Sequence, residues 1–185
     1  MGKKKIKELK EEIKLAEGVT ASYDGLTFIM KGPKGEVSKI IKANNVKITI
    51  EGDKISIVGI GTTKNEKKMI GSINAHIKNL QKGVTEGHVY KLKVCSGHFP
   101  MNVVINKGEI TIKNFLGEKF PRSLKIKEGV QVKLNGDQIV VEGTSKEICG
   151  QVSADIEKLT SVKGRDLRIF QDGIYIIEKD GKQIK

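Results

Sequence analysis

The chain is one unit written twice, and this repeat constrains its fold more than any other feature. "VKITIEGDKISIVG" at 46–59 aligns without a gap with "VQVKLNGDQIVVEG" at 130–143. Each stretch alternates apolar and polar residues on either side of a glycine turn, Glu51-Gly52-Asp53 and Asn135-Gly136-Asp137, the pattern of two paired strands. "GSINAHIKNL" at 71–80 and "GQVSADIEKL" at 150–159 follow, again without a gap. There Met69, Ile73, Ile77 and Leu80 match Ile148, Val152, Ile156 and Leu159, an apolar stripe at helical spacing. Thr63-x-x-Glu66 and Thr144-x-x-Glu147 read as capping boxes that open the two helices.

Upstream of each pair lies a further hairpin. Asp24-Gly25 joins "VTASY" to "LTFIM", and Asn106-Lys107-Gly108 joins "NVVI" to "EITI". Gly35-Glu36 has its echo at Gly117-Glu118. Lys82–Gly87 reads as a hinge, Val89–Val94 as a strand after it, and Ile174–Ile177 as a last strand. The fold class is therefore α+β: two tandem duplicated domains, each a mainly antiparallel sheet packed against one helix. The predicted boundaries are 11–83 and 84–180, with a mobile basic amino end at 1–10 and a basic tail at 181–185. Around that boundary Ile6, Leu9 and Ile13 have helical spacing, but a strand over Ile13–Ala16 is preferred.

"ISIVGIGTTKNEKK" at 55–68 raises the question of a nucleotide site, since a Gly-x-Gly turn at a helix start can hold a phosphate. The second copy reaches its helix through "VVEGTSKE", without Gly-x-Gly, and neither dinucleotide nor P-loop spacing is completed. The turn is read as a structural joint, with a small nucleotide-binding enzyme as the alternative.

The net charge of +12 favours a polyanionic partner, nucleic acid before an anionic membrane surface. Genome composition or heat adaptation would also enrich lysine. Residues 1–85 carry 17 lysines, no arginine and 9 acids, a net +8. Arg122, Arg165 and Arg168 all lie in the second half, where bidentate phosphate contacts are therefore expected. Cys95 and Cys149 form no C-x-x-C pair and suit a reducing compartment. "MGKKKIKELKEEIK" offers no continuous apolar stretch for a signal peptide, and no membrane partner is expected.

His76, His88 and His98 have no metal-ligand spacing, and no nucleophile motif appears. The chain reads as no enzyme, with no catalytic residues, metal or cofactor. Aromatics make up 4% with no Trp, so a nucleic-acid partner should be held through phosphates and shape, which suits folded RNA. Lys163, Arg165 and Arg168, just after the second helix, read as a phosphate grip, with helix-dipole capping as the plainer role. Phe170, Tyr175 and Ile176 read as core.

The tail "RDLRIFQDGIYIIEK" resembles the signature of the large-subunit ribosomal protein six family, in its archaeal and eukaryotic branch. Arg165, Arg168, Phe170, Asp172, Gly173, Tyr175 and Lys179 fill its positions. "KGVTEGHVYKLKV", "HFPMNV", "NFLGEK" and "GPKGEV" extend the likeness over nearly the whole chain beyond residue 16. Lys158, His88 and Ser96-Gly97 depart from the usual residues. The resemblance implies a cytoplasmic, ribosome-bound constituent of the large subunit. Its partners would be ribosomal RNA near the factor-binding region and stalk base, neighbouring large-subunit proteins, and translation factors nearby. It also implies RNA contacts at Lys91, Lys93, His98, Lys119, Arg165, Arg168 and Lys179; Arg122 and Lys163 join them on charge and proximity in sequence. A non-ribosomal basic RNA-binding adaptor is the other reading.

Overall fold

The computed structural model describes residues 9–42, 45–61, 63–106 and 108–184. The chain divides between Gly87 and His88 into two compact units. In the first, β1 (Lys10–Lys14), β5 (Val46–Glu51) and β6 (Lys54–Gly59) form one antiparallel sheet in the order β1-β6-β5. A second sheet is the meander of β2 (Thr20–Tyr23), β3 (Thr27–Gly32) and β4 (Gly35–Ile40). Helix α1 (Lys64–Thr85) packs on both.

The second unit repeats this plan. Strands β7 (His88–Cys95), β11 (Val130–Asn135) and β12 (Gln138–Gly143) take the places of β1, β5 and β6. Strands β8 (Asn102–Asn106), β9 (Glu109–Lys113) and β10 (Arg122–Lys125) form the second meander, and α2 (Lys146–Leu159) is the helix. The equivalence reaches single hydrogen bonds. Leu15 N donates to Asp53 O and Val94 N to Asp137 O, each at 2.8 Å, just past the hairpin turn of its own copy.

Period decides which side chains go inside. On β6 and β12 alternate residues face the helix, so Ile55, Ile57, Ile139 and Val141 are fully buried. On α1 the buried line is Ile70, Ile73, Ile77, Leu80 and Val84; on α2 it is Cys149, Val152 and Ile156. Met69 and Ile148 only flank these lines, so the stripe sits one residue later than expected at its start. Burying a side chain such as Ile77 or Ile156 contributes roughly 1.5–3 kcal/mol, which anchors each helix to its sheets.

The structure corrects several local expectations. Thr63 does close a capping box: its hydroxyl accepts from Glu66 N and the Glu66 carboxylate accepts from Thr63 N at 2.8 Å. The second helix starts one residue later, with Ser145 and not Thr144 as the cap accepting from Ile148 N. Residues Lys82–Thr85 are helical, so the joint lies at Glu86-Gly87. Strand β1 begins at Lys10 and Leu9 packs on the first core, because pairing with β6 captures this segment; residues 1–8 lie outside the described residues. At the other end, β14 (Lys182–Gln183) pairs with β13 (Gly173–Lys179), so this part of the tail is a sheet edge. Thr63→Ala should lower the denaturant midpoint of the first domain by the equivalent of about 1 kcal/mol, read by circular dichroism.

Two of the differences between the copies are additions to the sheets and loops. Strand β13 pairs beside β7, giving the order β11-β12-β7-β13-β14, with no counterpart beyond β1 among the described residues. And where two residues join β3 to β4, an eight-residue loop, Asn114–Pro121, joins β9 to β10. Both additions belong to the second domain.

Candidate nucleic-acid interface

The nucleotide alternative is answered at the start of α1. The Glu66 carboxylate lies so close to Gly61 that a Cβ there would sit 2.7 Å from it, and it accepts from Thr63 N. The helix start that would cradle a phosphate already holds the helix's own anion. The Gly-x-Gly is the backbone clearance for that cap, with Gly59 packed against Ile70.

In the second domain, three connections meet at one end. The β7–β8 loop meets the segment between α2 and β13 through Asp172. This buried carboxylate accepts from Gly97 N (2.5 Å) and His98 N (2.9 Å) on Oδ1, and from His98 Nδ1 (2.6 Å) on Oδ2. Burial pushes Asp172 up, but the hydrogen bonds from His98 and Gly97 outweigh it and hold the carboxyl below its usual range. With Nδ1 committed as donor, His98 keeps Nε2 for another partner. Its ring stacks on Phe170 with centroids 4.7 Å apart, and the Arg165 guanidinium lies 4.8 Å from the centroid of the Phe170 ring.

The β9–β10 loop joins the same cluster. Asn114 Nδ2 donates to Pro100 O at 3.0 Å, and Phe99 packs over Gly117. Helix α2 stops because Thr160, buried where the first copy has Gln81, accepts from Ile174 N at 2.9 Å and so turns the chain toward β13.

The expected contact residues divide by where this scaffold puts them. Lys93, His98, Gln171 and Tyr175 line one open cleft of about 700 Å3. Arg165 lies beside it on Phe170, and Lys163 and Lys119 are exposed on neighbouring loops. Arg168 is out in solvent with its side chain 90% exposed, held by Asp166 at 2.8 Å. Lys91 stands on the open face of the sheet and pairs with Glu178 at 2.9 Å. Lys179 pairs in register with Tyr90, five residues along β7 from Cys95 and thus roughly 16 Å from the loop end.

Arg122 turns inward. Its Nη1 donates to Leu159 O (2.6 Å), its Nε and Nη2 donate to Glu118 (2.8 and 2.5 Å), and its guanidinium lies 4.4 Å from the Phe115 ring centroid. These bonds hold Glu118 below the usual carboxylate range. Arg122 is thus a brace for the loop, a role its sequence neighbours gave no sign of. Phe170 and Tyr175 are also not core: Phe170 is half-buried in the stack and Tyr175 is exposed, while Ile174 takes the buried position. His76 is half-buried with Nδ1 2.9 Å from Lys39 Nζ. Elsewhere, burial pushes the Cys149 thiol up to about 11, with Asp180 adding to the shift, which suits an inert core residue. Among the described residues no group of His, Cys, Asp and Glu is placed to hold a metal ion.

Fold and site together define a class: a tandem-duplicated α+β protein whose second domain carries a braced, cation-edged cluster of loops. The family model described as Ribosomal protein L6 matches residues 15–87 and 99–173, one match per domain. The chain belongs to the ribosomal protein L6 family, in its archaeal branch. It is 43% identical over 174 residues to the large ribosomal subunit protein uL6 of Methanococcus vannielii, covering 94% of this chain and 96% of the relative. It is 41% identical over 174 residues to that of Methanothrix thermoacetophila, covering 94% and 99%.

Proposed function

We propose that this protein is a structural constituent of the large ribosomal subunit, and not an enzyme, whose second domain binds folded ribosomal RNA near the factor-binding region and stalk base. Family membership supports the first part, because the relatives are large-subunit proteins over nearly their full length. The observation that carries the second is the meeting of three loops at one end of the second domain. There the acids Glu118, Asp166 and Asp172 are each engaged by internal hydrogen bonds. Lys93, Lys119, Lys163 and Arg165 border that end, so it presents cations to a polyanion. In this reading the site sits where the second copy departs from the first, and the first domain's lysines add long-range attraction. Neighbouring large-subunit proteins and docking translation factors are the further partners.

Binding of deproteinised large-subunit RNA tests the reading. Arg165→Ala and Arg168→Ala should each weaken affinity several-fold and reduce the slope of log affinity against log salt by about one. Their melting temperatures should match the unaltered chain, because both side chains lie outside the core. Unchanged affinity and slope would assign both arginines to local structure. Equal affinity of the unaltered chain for random duplex RNA would instead make it a basic adaptor.

A further inference from the structure

Phe120 is 85% exposed, near the end of the β9–β10 loop, two residues before β10. An aromatic ring left in water on a mobile loop would be unremarkable, but this loop is fixed on both sides of it. Two residues before, Glu118 is gripped by the Arg122 guanidinium; two residues after, Arg122 itself is tied to Leu159 O and stacked on Phe115. Pro121 sets the backbone directly behind the ring. Further back, Asn114 (φ 60°) and Leu116 (φ 49°) adopt left-handed conformations that non-glycine residues rarely take. Such backbone persists only where surrounding contacts enforce it. The first copy spans the same connection with two residues and presents no aromatic there.

Charge indicates the kind of partner. Glu118, the loop's one acid, is neutralised by Arg122, and the charge of Arg165 also acts on it. Lys119, beside Phe120, is exposed. Phe99, 44% exposed, extends the apolar surface over Gly117. An exposed aromatic on a braced backbone beside a lysine fits a nucleobase with its phosphate: every base offers a π-face, and a held backbone reduces the freedom lost on stacking. A purely apolar protein pocket would not call for the flanking lysine.

We infer that Phe120 is a stacking wedge that takes an unpaired or unstacked base of RNA, with Lys119 on the adjoining phosphate. This rests on the RNA-binding reading above. It amends the expectation that recognition proceeds without stacking, since the scarce aromatics are not spread evenly: Phe99, Phe120 and Tyr175, all in the second domain, are exposed.

The chain contains no Trp, so Phe120→Trp supplies a single tryptophan in this loop, excited apart from the tyrosines. Titrated with deproteinised large-subunit RNA, its emission should be strongly quenched. Phe120→Ala should bind that RNA roughly 10- to 100-fold more weakly with an unchanged salt slope, whereas Lys119→Ala should lower the slope by about one. Unquenched emission together with undiminished affinity of Phe120→Ala, while the unaltered chain still binds, would overturn the wedge and leave the RNA reading standing. Failure of the unaltered chain to bind the RNA would remove both. Quenching or shielding that appears only when other large-subunit proteins are added would assign the ring to a protein pocket and overturn the proposal.

Discussion

Val152→Asp is expected to unfold the second domain. Val152 sits at the centre of the buried line of α2, 2% exposed, in the core formed with Leu92, Ile139, Val141 and Ile174. Those four side chains offer an aspartate neither a cation nor a donor. It must either bury an unpaired carboxylate or protonate and still lose its hydrogen bonds to water. Either cost exceeds about 4 kcal/mol, comparable with the ~5–15 kcal/mol that holds a domain of this size together. The first domain has a separate core around Phe28, Ile57 and Ile77. Calorimetry should therefore show the second domain's transition lost and the first domain's retained. A melt identical to that of the unaltered chain would mean that this face of α2 does not carry the core.

Asp172→Ala should be the most damaging change at the loop cluster. It removes the acceptor for Gly97 N, His98 N and His98 Nδ1 together. Stranding those donors should cost about 2–4 kcal/mol, roughly 10–20 °C in the melting temperature of this domain. The freed β7–β8 loop would also misplace His98, so RNA affinity should fall with stability. Acid adds a second readout. The folded carboxyl lies below its ordinary value, so its stabilisation is full above about pH 4 and lost as pH falls through the folded value. Asp172→Asn, which keeps an acceptor but cannot titrate, should flatten that part of the acid-unfolding curve. An Asn variant with the same acid dependence would place the titrating group elsewhere.

The duplication, the pairing of strands within each copy and the helix that covers them were all legible in the residues alone. Those features are written in periods of two and 3.6 and in turn residues, all local. So "VKITIEGDKISIVG" reads as a hairpin wherever it is met, and residues 46–51 do pair with 54–59. The sequence also located Arg165 and Arg168 in the segment between α2 and β13, which the fold brings to the loop cluster. Helix caps were legible only to within a residue, because Thr144 and Ser145 are equally good candidates until the loop before them is closed.

The direction each side chain faces is set only once distant segments meet. Asp172 reaches 74 residues back to His98, and Arg122 reaches 37 residues forward to Leu159. Nothing near either residue in sequence announces its partner. The same closure turns Arg122 from a surface cation into an internal brace and leaves Tyr175 outside the core. It also leaves Phe120, in sequence one more aromatic between a lysine and a proline, standing in solvent on a loop braced by Arg122. Local pattern fixes which residues form an element; the field of long-range contacts fixes which of them remain available to a partner.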